Sequence, residues 1–286
     1  MRGRAELALF GMTVIWGATF VVIKGALADI SPFLFIAARF TLAALVLGAI
    51  YGKKLQRTAL KGGILAGALL FTAFVFQTEG LALTTPAKSA FLTGLSIPMV
   101  PLANSLVYKT KPARYEVIGI LVASFGMALM ALPSGKFGIT TGDFLSLLCA
   151  IVFALHFVVL AHYSRTEGFE TLAVVQVAVA AVLGIVSAIG FGVVRFHPTP
   201  GLGMAVLVTG VLATALAFTT LAWAQQYTTT ARAALILALE PAVAWFASWV
   251  VMGEILSSRG KIGAGLILAG VLLVELKRGK PEILQI

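Results

Sequence analysis

Apolar runs of about twenty residues follow one another along the chain, separated by short breaks that hold most of the charged residues. A helix needs about 20 mostly apolar residues to cross the hydrocarbon core of a bilayer. The pattern therefore predicts an all-α integral membrane protein with ten membrane-spanning helices. The predicted spans are residues 6–26, 33–51, 62–83, 89–107, 115–132, 141–163, 170–192, 202–225, 232–252 and 260–276.

The two halves of the chain carry the same sequence pattern. The motif Thr-Thr-Pro-Ala-Lys-Ser-Ala at 84–90 recurs 144 residues later as Thr-Thr-Thr-Ala-Arg-Ala-Ala at 228–234. Two pairs of glycines repeat at the same offset: Gly119 with Gly263, and Gly126 with Gly270. We therefore interpret 1–136 and 137–286 as two copies of one unit of five spans. Because five is odd, the second copy must be inverted, and inverted repeats are typical of alternating-access transporters.

The composition agrees with a membrane protein and excludes an ordinary soluble domain. Hydrophobic residues make up 60% of the chain and charged residues only 11%, and the mean hydropathy is +1.03. The single cysteine, Cys149, lies in a predicted span, so an intrachain disulfide is impossible and a thiolate metal site is not expected. The first apolar stretch continues as a full span without a small-residue cleavage pattern, which favours a first helix over a signal peptide.

The net charge of +10 is explained by membrane topology rather than by nucleic-acid binding. With the N-terminus in the cytoplasm, fourteen of the 21 lysines and arginines fall in cytoplasmic breaks and six in outer breaks, and Arg39 lies within a span. Lysine and arginine are enriched in the cytoplasmic loops of membrane proteins. The bias predicts a multi-pass protein of a bacterial-type inner membrane with both termini in the cytoplasm.

The second half contains a specific combination of motifs. Residues 238–275, ALEPAVAWFASWVVMGEILSSRGKIGAGLILAGVLLVE, combine Leu-Glu-Pro at 239–241 with Gly-Glu at 253–254 and a glycine-punctuated last helix. The first half has a counterpart in LALTTPAKSAFLTGLSIPMVPL, and an early Trp16-Gly17 also fits. The combination resembles the EamA-domain branch of the drug/metabolite transporter superfamily. The resemblance implies ten helices in two EamA repeats, a central cavity lined mainly by spans 1, 3, 4, 6, 8 and 9, and export of small metabolites.

Ionisable groups inside a membrane are candidates for function, because each costs about 2.5 to 3.5 kcal/mol at mid-depth on insertion scales. Glu240 is the strongest candidate, since it stands well inside its span, next to Pro241 and among small residues. The structural alternative is that Glu240 hydrogen-bonds a neighbouring helix and holds a kink. We predict six substrate-binding residues: Trp16, Phe20, Gln77, His156, Trp223 and Glu240.

Three further ionisable residues, Lys24, Arg39 and Glu79, are predicted to gate the cavity or to form ion pairs. Glu79 lies near the outer end of its span, where Arg39 or Lys24 could pair with it as an external gate or as a plain ion pair. Gln77 and Glu79 are two residues apart and point about 200° away from each other on a helix. Only one of the two is therefore expected to line the cavity, and the sequence leaves open which one.

Two prolines, Pro98 and Pro241, occupy matching positions inside predicted helices. Proline removes a backbone hydrogen bond and bends the helix, so both are hinge candidates. Glu254, in the Gly-Glu motif, falls near the outer end of its span and is interpreted as a structural cap or an ion-pair partner.

The leading functional hypothesis is an exporter of small metabolites, with amino acids or related compounds as the favoured class. The alternative is a lipid or lipid-linked sugar flippase of the same superfamily. An enzyme is not expected, because the sequence has no H-E-x-x-H motif and no clustered aspartates, and it has no G-x-x-x-x-G-K-[ST] loop for ATP. The expected partners are a small-molecule substrate, the lipid bilayer and, as candidate coupling ions, protons. No cofactor, metal, nucleic acid or ATP is expected.

Overall fold

The computed structural model describes residues 2–55, 60–109, 111, 113–131, 139–163, 168–191, 195–224, 227 and 236–277. This part of the chain is helical, as predicted, and its only strand-like feature is an isolated bridge between Ile30 and Phe196. The helices are α1 Arg2–Ala26, α2 Pro32–Tyr51 with a 3₁₀ turn Gly52–Lys54, α3 Leu60–Leu83, α4 Pro86–Gly94, α5 Ser96–Tyr108, α6 Arg114–Ala131, α7 Thr141–Tyr163, α8 Phe169–Phe191, α9 Pro200–Leu207, a π-helical segment Val208–Leu216, α10 Ala217–Ala224, α11 Glu240–Met252 and α12 Ser258–Lys277.

Some features predicted from the sequence lie outside the described residues. They are the second copy of the repeated motif at 228–234, the boundary between the halves at 136–137, and the basic residues Arg57, Lys136, Arg165, Arg232, Arg278 and Lys280.

Six helical stretches in the described part are long and apolar enough to cross a membrane, and they coincide with predicted spans 1, 2, 3, 6, 7 and 8. They are Gly3–Ala26, Pro32–Lys54, Leu60–Leu83, Thr141–Tyr163, Phe169–Phe191 and Pro200–Leu221. Large apolar side chains cover the outer surfaces of the helices, with Ile189 82% and Leu106 79% exposed. Such extended exposed apolar surface is expected where a protein contacts lipid.

The predicted fourth span is divided into two helices. α4 ends at Gly94, and the Leu95 amide donates to the carbonyl oxygen of Leu92 at 3.2 Å, a bond between residues only three apart. Pro98 lies four residues after Gly94, so it lacks the N–H that would have bonded the Gly94 carbonyl. Proline chemistry therefore explains why the helix breaks here.

The same interruption occurs 144 residues later. The Leu239 amide donates to the carbonyl oxygen of Ile236 at 3.1 Å, again three residues back, and α11 begins at the next residue. Pro241 follows at once and removes the bond to Leu237. The two interruptions also touch each other, because a Cβ placed on Gly94 would lie 2.8 Å from Cγ of Pro241.

Helices α6 and α12 meet through glycines at equivalent positions of the two halves. A Cβ built on Gly126 would lie 2.6 Å from the carbonyl oxygen of Gly263, and one built on Gly270 would overlap the carbonyl oxygen of Gly119. The contact is reciprocal, and because Gly126 meets Gly263 while Gly119 meets Gly270, the two helices run antiparallel. Small residues allow this approach between backbones in lipid.

The remaining helices pack around one interior. α3 lies between α7 and α8, α2 packs along α8 and the π-helical segment, and α1 packs along α11. Close contacts at Gly63 and Gly67 let α3 approach Val175 and Val179 of α8. The interior of the bundle is thereby bounded by helices from both halves of the chain.

Three polar contacts between helix ends in the described residues each join ends that the sequence assigns to the same side of the membrane. On the predicted outer side, Lys88 forms an ion pair with Asp143 at 2.7 Å, and Arg195 donates to the carbonyl oxygen of Leu27 at 2.6 Å. On the predicted cytoplasmic side, Lys54 pairs with Glu170 at 3.6 Å.

Glu254 acts as a cap for another helix. α11 ends at Met252, and the φ of +67° at the next residue, Gly253, lies in the left-handed region that glycine adopts readily. The carboxylate of Glu254 then accepts from the Ala87 amide at 3.2 Å, at the start of α4, and from the Ser248 hydroxyl. The Gly-Glu motif therefore ties the predicted outer end of α11 to α4, in agreement with the capping interpretation.

A methyl group at Gly270 should destabilise the protein, whereas the same change at Gly265 should not. The added Cβ at Gly270 meets the Gly119 carbonyl, and overpacking of this kind costs about 1 to 3 kcal/mol. Gly265 lies on the same helix with nothing within 4 Å of its Cβ position. The midpoint of thermal unfolding in detergent should fall for Gly270→Ala and stay level or rise for Gly265→Ala. Equal midpoints would show that the α6–α12 contact is not tightly packed.

Candidate functional site

A cavity of about 700 Å³, counting its open mouth, lies in the middle of the bundle. It is lined by α1, α3, α7, α10, the interrupted α4–α5 pair and the start of α11, together with one residue of α2. These elements correspond to predicted spans 1, 3, 4, 6, 8 and 9, the set implied by the resemblance, with span 2 added through Arg39.

Both helix interruptions border the cavity. Gly94 and Ser96 stand on either side of the break between α4 and α5, and Leu237 and Glu240 stand on either side of the second break. Non-helical backbone inside a membrane is tolerated where it is buried in protein or faces a water-filled cavity. The predicted hinge residues Pro98 and Pro241 thus mark two irregular segments that meet at the site.

Six aromatic residues make up most of the apolar wall of the cavity: Trp16, Phe20, Phe74, Phe153, Phe157 and Phe218. The Trp16 and Phe218 ring centroids are 5.6 Å apart, and those of Phe74 and Phe153 are 5.5 Å apart. Trp16 and Phe20 were predicted from the sequence, whereas the other four were missed. The i, i+4 spacing of Phe153 and Phe157 was the available signal, because it places both rings on one helix face.

Arg39 lines the cavity from α2, although its side chain is only 2% exposed. Nε donates to Oγ1 of Thr214 at 2.7 Å, and Nη2 donates to the carbonyl oxygen of Ala213 at 3.4 Å. The guanidinium carbon lies 4.4 Å from the centre of the Phe74 ring, within cation–π range. Neutral groups therefore hold the guanidinium, and within the described residues no carboxylate forms an ion pair with it.

The π-helical segment supplies the acceptors that hold Arg39. At its end the Ala217 amide bonds to the carbonyl of Leu212, five residues back, before α10 returns to the four-residue spacing. The change of register explains how the Ala213 carbonyl can accept bonds from side chains. It accepts from Nη2 of Arg39 and, at 2.8 Å, from Nε1 of Trp16, so one backbone oxygen joins α1 and α2 to the wall of the cavity.

Glu240 lines the cavity at the start of α11 and is half-buried. No hydrogen bond or ion pair to the Glu240 side chain occurs within the described residues. A Cβ placed on Gly17 would lie 2.9 Å from the Glu240 carbonyl oxygen. The Trp16-Gly17 pair therefore presents an indole to the cavity and lets α11 approach α1.

Of the two residues left open by the sequence, Gln77 lines the cavity and Glu79 does not. The predicted ion pair of Glu79 with Arg39 or Lys24 is not formed among the described residues. The Lys24 ammonium instead donates to the carbonyl oxygens of Leu81 and Ala82, each at 2.9 Å, at the end of α3. The Arg39 side chain donates to Thr214 and does not pair with Glu79.

His156 and Trp223 lie outside the set of residues that line the cavity. His156 is fully buried behind Phe153 and Phe157, and its Nε2 is 3.0 Å from Oε1 of Gln176 on α8. This bond draws the imidazole towards α8 and away from the cavity. Trp223 instead packs against Tyr227, with the ring centroids 5.3 Å apart.

Over both halves, residues 3–132 and 140–276, the chain matches the EamA-like transporter family. The chain belongs to this family. An uncharacterized transporter of Archaeoglobus fulgidus is 34% identical over 96% of this chain and 86% of its own length. The uncharacterized inner membrane transporter YedA of Escherichia coli is 24% identical over 94% of this chain and 90% of its own length. The EamA family and these relatives identify the protein as a membrane transporter.

A solved crystal structure shares the fold of this EamA protein. The TM-score is 0.70 at 20% sequence identity, and the match covers 97% of this chain and 98% of the other. Agreement over nearly the full length of both chains supports the arrangement of helices around the cavity.

Removal of the Thr214 hydroxyl should destabilise the cavity wall. Valine has nearly the same shape as threonine but cannot accept from Nε of Arg39, and a buried donor without a partner costs about 1 to 3 kcal/mol. Thr219→Val is the matched control, because within the described residues the Thr219 hydroxyl bonds only the Ala215 carbonyl, four residues earlier in the chain. We expect a lower midpoint of thermal unfolding for Thr214→Val than for Thr219→Val. Indistinguishable midpoints would contradict the role of Thr214 in holding Arg39.

Proposed function

We propose that this EamA transporter exports small metabolites, most favourably amino acids or related compounds, by alternating access of two inverted repeats. One observation carries the proposal: a cavity lined by residues of both EamA matches lies where the two interrupted helices meet. Interrupted helices at corresponding places of two repeats mark the binding site of many secondary transporters. Charged and polar groups on an otherwise aromatic wall suit a small amphipathic solute better than a lipid chain.

Three features support two inverted repeats of five spans, 1–136 and 137–286. The family match has two copies, and the backbone turns at Leu95 and Leu239 repeat at an offset of 144 residues. The reciprocal antiparallel contact of α6 with α12 is the geometry that an axis in the membrane plane would produce. Repeats related by such an axis can rock against each other about a fixed site. Pro98 and Pro241 are the proposed hinges.

Protons are the proposed coupling ions, and Glu240 is the proposed group for which proton and substrate compete. It is the one carboxylate among the residues that line the cavity in the described part. A ligand shifts a transport equilibrium only through different affinities for the two states, and competition at one carboxylate supplies such a difference.

Loss of the Glu240 charge should abolish export. Cells that express the intact chain and are fed dipeptides should accumulate an amino acid in the medium, and Glu240→Gln should lower that accumulation about tenfold or more. Glu170→Gln is the matched control, because Glu170 lies at a helix end away from the cavity. Metabolite profiles of the medium are compared with those of cells carrying an empty vector. If the intact protein reaches the membrane and the medium is unchanged, amino-acid export is wrong, and lipid flipping is tested next.

The orientation with both termini in the cytoplasm is tested with cysteine probes. The native Cys149 is fully buried and should not react. Cysteines at the exposed positions Arg259 and Lys261 should react with an impermeant thiol reagent in intact cells. Cysteines at Lys54 and Lys111 should react only after the membrane is opened. The reverse pattern would overturn the topology.

A further inference from the structure

An arginine and a glutamate line the same cavity, and neither has an ion-pair partner among the described residues. Arg39 reaches it from α2 and Glu240 from α11, and the two side chains do not form an ion pair with each other. In a membrane interior an ionisable group is costly unless it is paired, so such groups usually pair or serve a substrate. A ligand that carries both charges would complement both groups at once.

The guanidinium is prepared to receive a carboxylate. Its contacts with Thr214 and Ala213 use Nε and one N–H of Nη2, and its plane lies over Phe74. Arginine has five N–H donors, so three are not used by any bond within the described residues, and guanidinium binds carboxylate through two parallel hydrogen bonds. Because the side chain is already fixed by neutral partners, little side-chain freedom is lost when a ligand binds.

Glu240 supplies the complementary group. Glu240 is the first residue of α11, directly after the helix interruption at Leu239. Its side chain is half-buried and has no basic partner within the described residues. A primary ammonium has three donors, and Glu240 can accept one of them. The hydroxyl of Ser96 and the amide of Gln77 line the same cavity and offer further acceptors.

The rest of the wall selects the side chain of the ligand. Six aromatic rings line the cavity, among them Trp16, Phe20 and Phe218. Aromatic rings bind large apolar groups by area and by edge-to-face contact. A small or charged side chain would leave this surface without a partner.

We propose that the transported molecule is a zwitterionic amino acid with a large apolar or aromatic side chain, whose carboxylate is bound by Arg39 and whose ammonium is bound by Glu240. This inference rests on the proposed function and adds the recognition of the substrate. It predicts that a change at Arg39 affects the binding of ligands with a carboxylate, and that a change at Glu240 affects the binding of ligands with an ammonium group.

The test measures binding to the purified full-length protein by isothermal titration calorimetry. The probes are L-phenylalanine, 2-phenylethylamine, which lacks the carboxylate, 3-phenylpropionate, which lacks the ammonium, and L-alanine, which lacks the ring. The wild type should bind L-phenylalanine about tenfold or more tightly than each of the other three, as expected for loss of a charged or large apolar contact. This comparison needs no variant, and equal affinities would overturn the proposal.

The variants assign each charge to its residue. Arg39→Gln should lower the affinity for L-phenylalanine and 3-phenylpropionate about tenfold. Its affinity for 2-phenylethylamine should not change, because that ligand has no carboxylate for Arg39 to bind. Glu240→Gln should lose affinity for L-phenylalanine and 2-phenylethylamine and keep that for 3-phenylpropionate. Arg259→Gln and Glu170→Gln remove the same charges away from the cavity and should bind all probes like the wild type. Elution as a single symmetric peak on size exclusion checks the fold of each variant.

The outcomes separate this inference from the proposed function. If Arg39→Gln weakens all three phenyl ligands equally, Arg39 maintains the cavity without contacting the carboxylate, and the proposal fails. If the wild type exports an amino acid in cells but binds L-phenylalanine no better than its analogues, the proposed function stands and the recognition is wrong. If no amino acid is exported or bound, both fail. Should Arg39→Gln not fold, Arg39→Lys replaces it and should selectively weaken the two carboxylate ligands, since lysine lacks the planar fork.

Discussion

The interior of a membrane offers no water to unpaired backbone groups, and this constraint organises the whole protein. Long helices satisfy it by themselves, so interruptions are confined to places where protein or a cavity surrounds them. Both interruptions described above obey this rule, since the breaks near Leu95 and Leu239 meet at the contact of Gly94 with Pro241 and open onto the same cavity. The central cavity and the breaks in the helices therefore occur at the same place in the fold for the same physical reason.

The π-helical segment extends the same principle to side chains. Its change of register makes the Ala213 carbonyl oxygen available as an acceptor. That oxygen accepts hydrogen bonds from the indole of Trp16 and from the guanidinium of Arg39. The Arg39 cation therefore has neutral partners, and no carboxylate pairs with it within the described residues. An ion pair with Glu79 would have neutralised the charge of Arg39.

Much of the fold could be predicted from the sequence, because the length of apolar runs and the spacing of glycines can be seen along the chain without knowing which helices are neighbours. Within the site, Trp16, Phe20, Gln77 and Glu240 could be proposed since each is polar or aromatic on a predicted helix face. The place of Arg39 could not, because it depends on a π-helical register that has no local sequence signature. His156 was placed in the cavity as a polar residue in a span, but its bond to Gln176 depends on which helix is its neighbour. Neighbours of this kind are set by packing in three dimensions.

The glycine contact of α6 with α12 has a consequence for the origin of the chain. It is self-complementary: the surface that contains Gly119 and Gly126 meets its own equivalent, which contains Gly263 and Gly270. A self-complementary surface can also join two separate copies of one protein. A single five-span ancestor bearing this surface would have paired with a copy of itself inserted in the opposite direction. Gene duplication and fusion would then have preserved an existing dimer contact between the two copies.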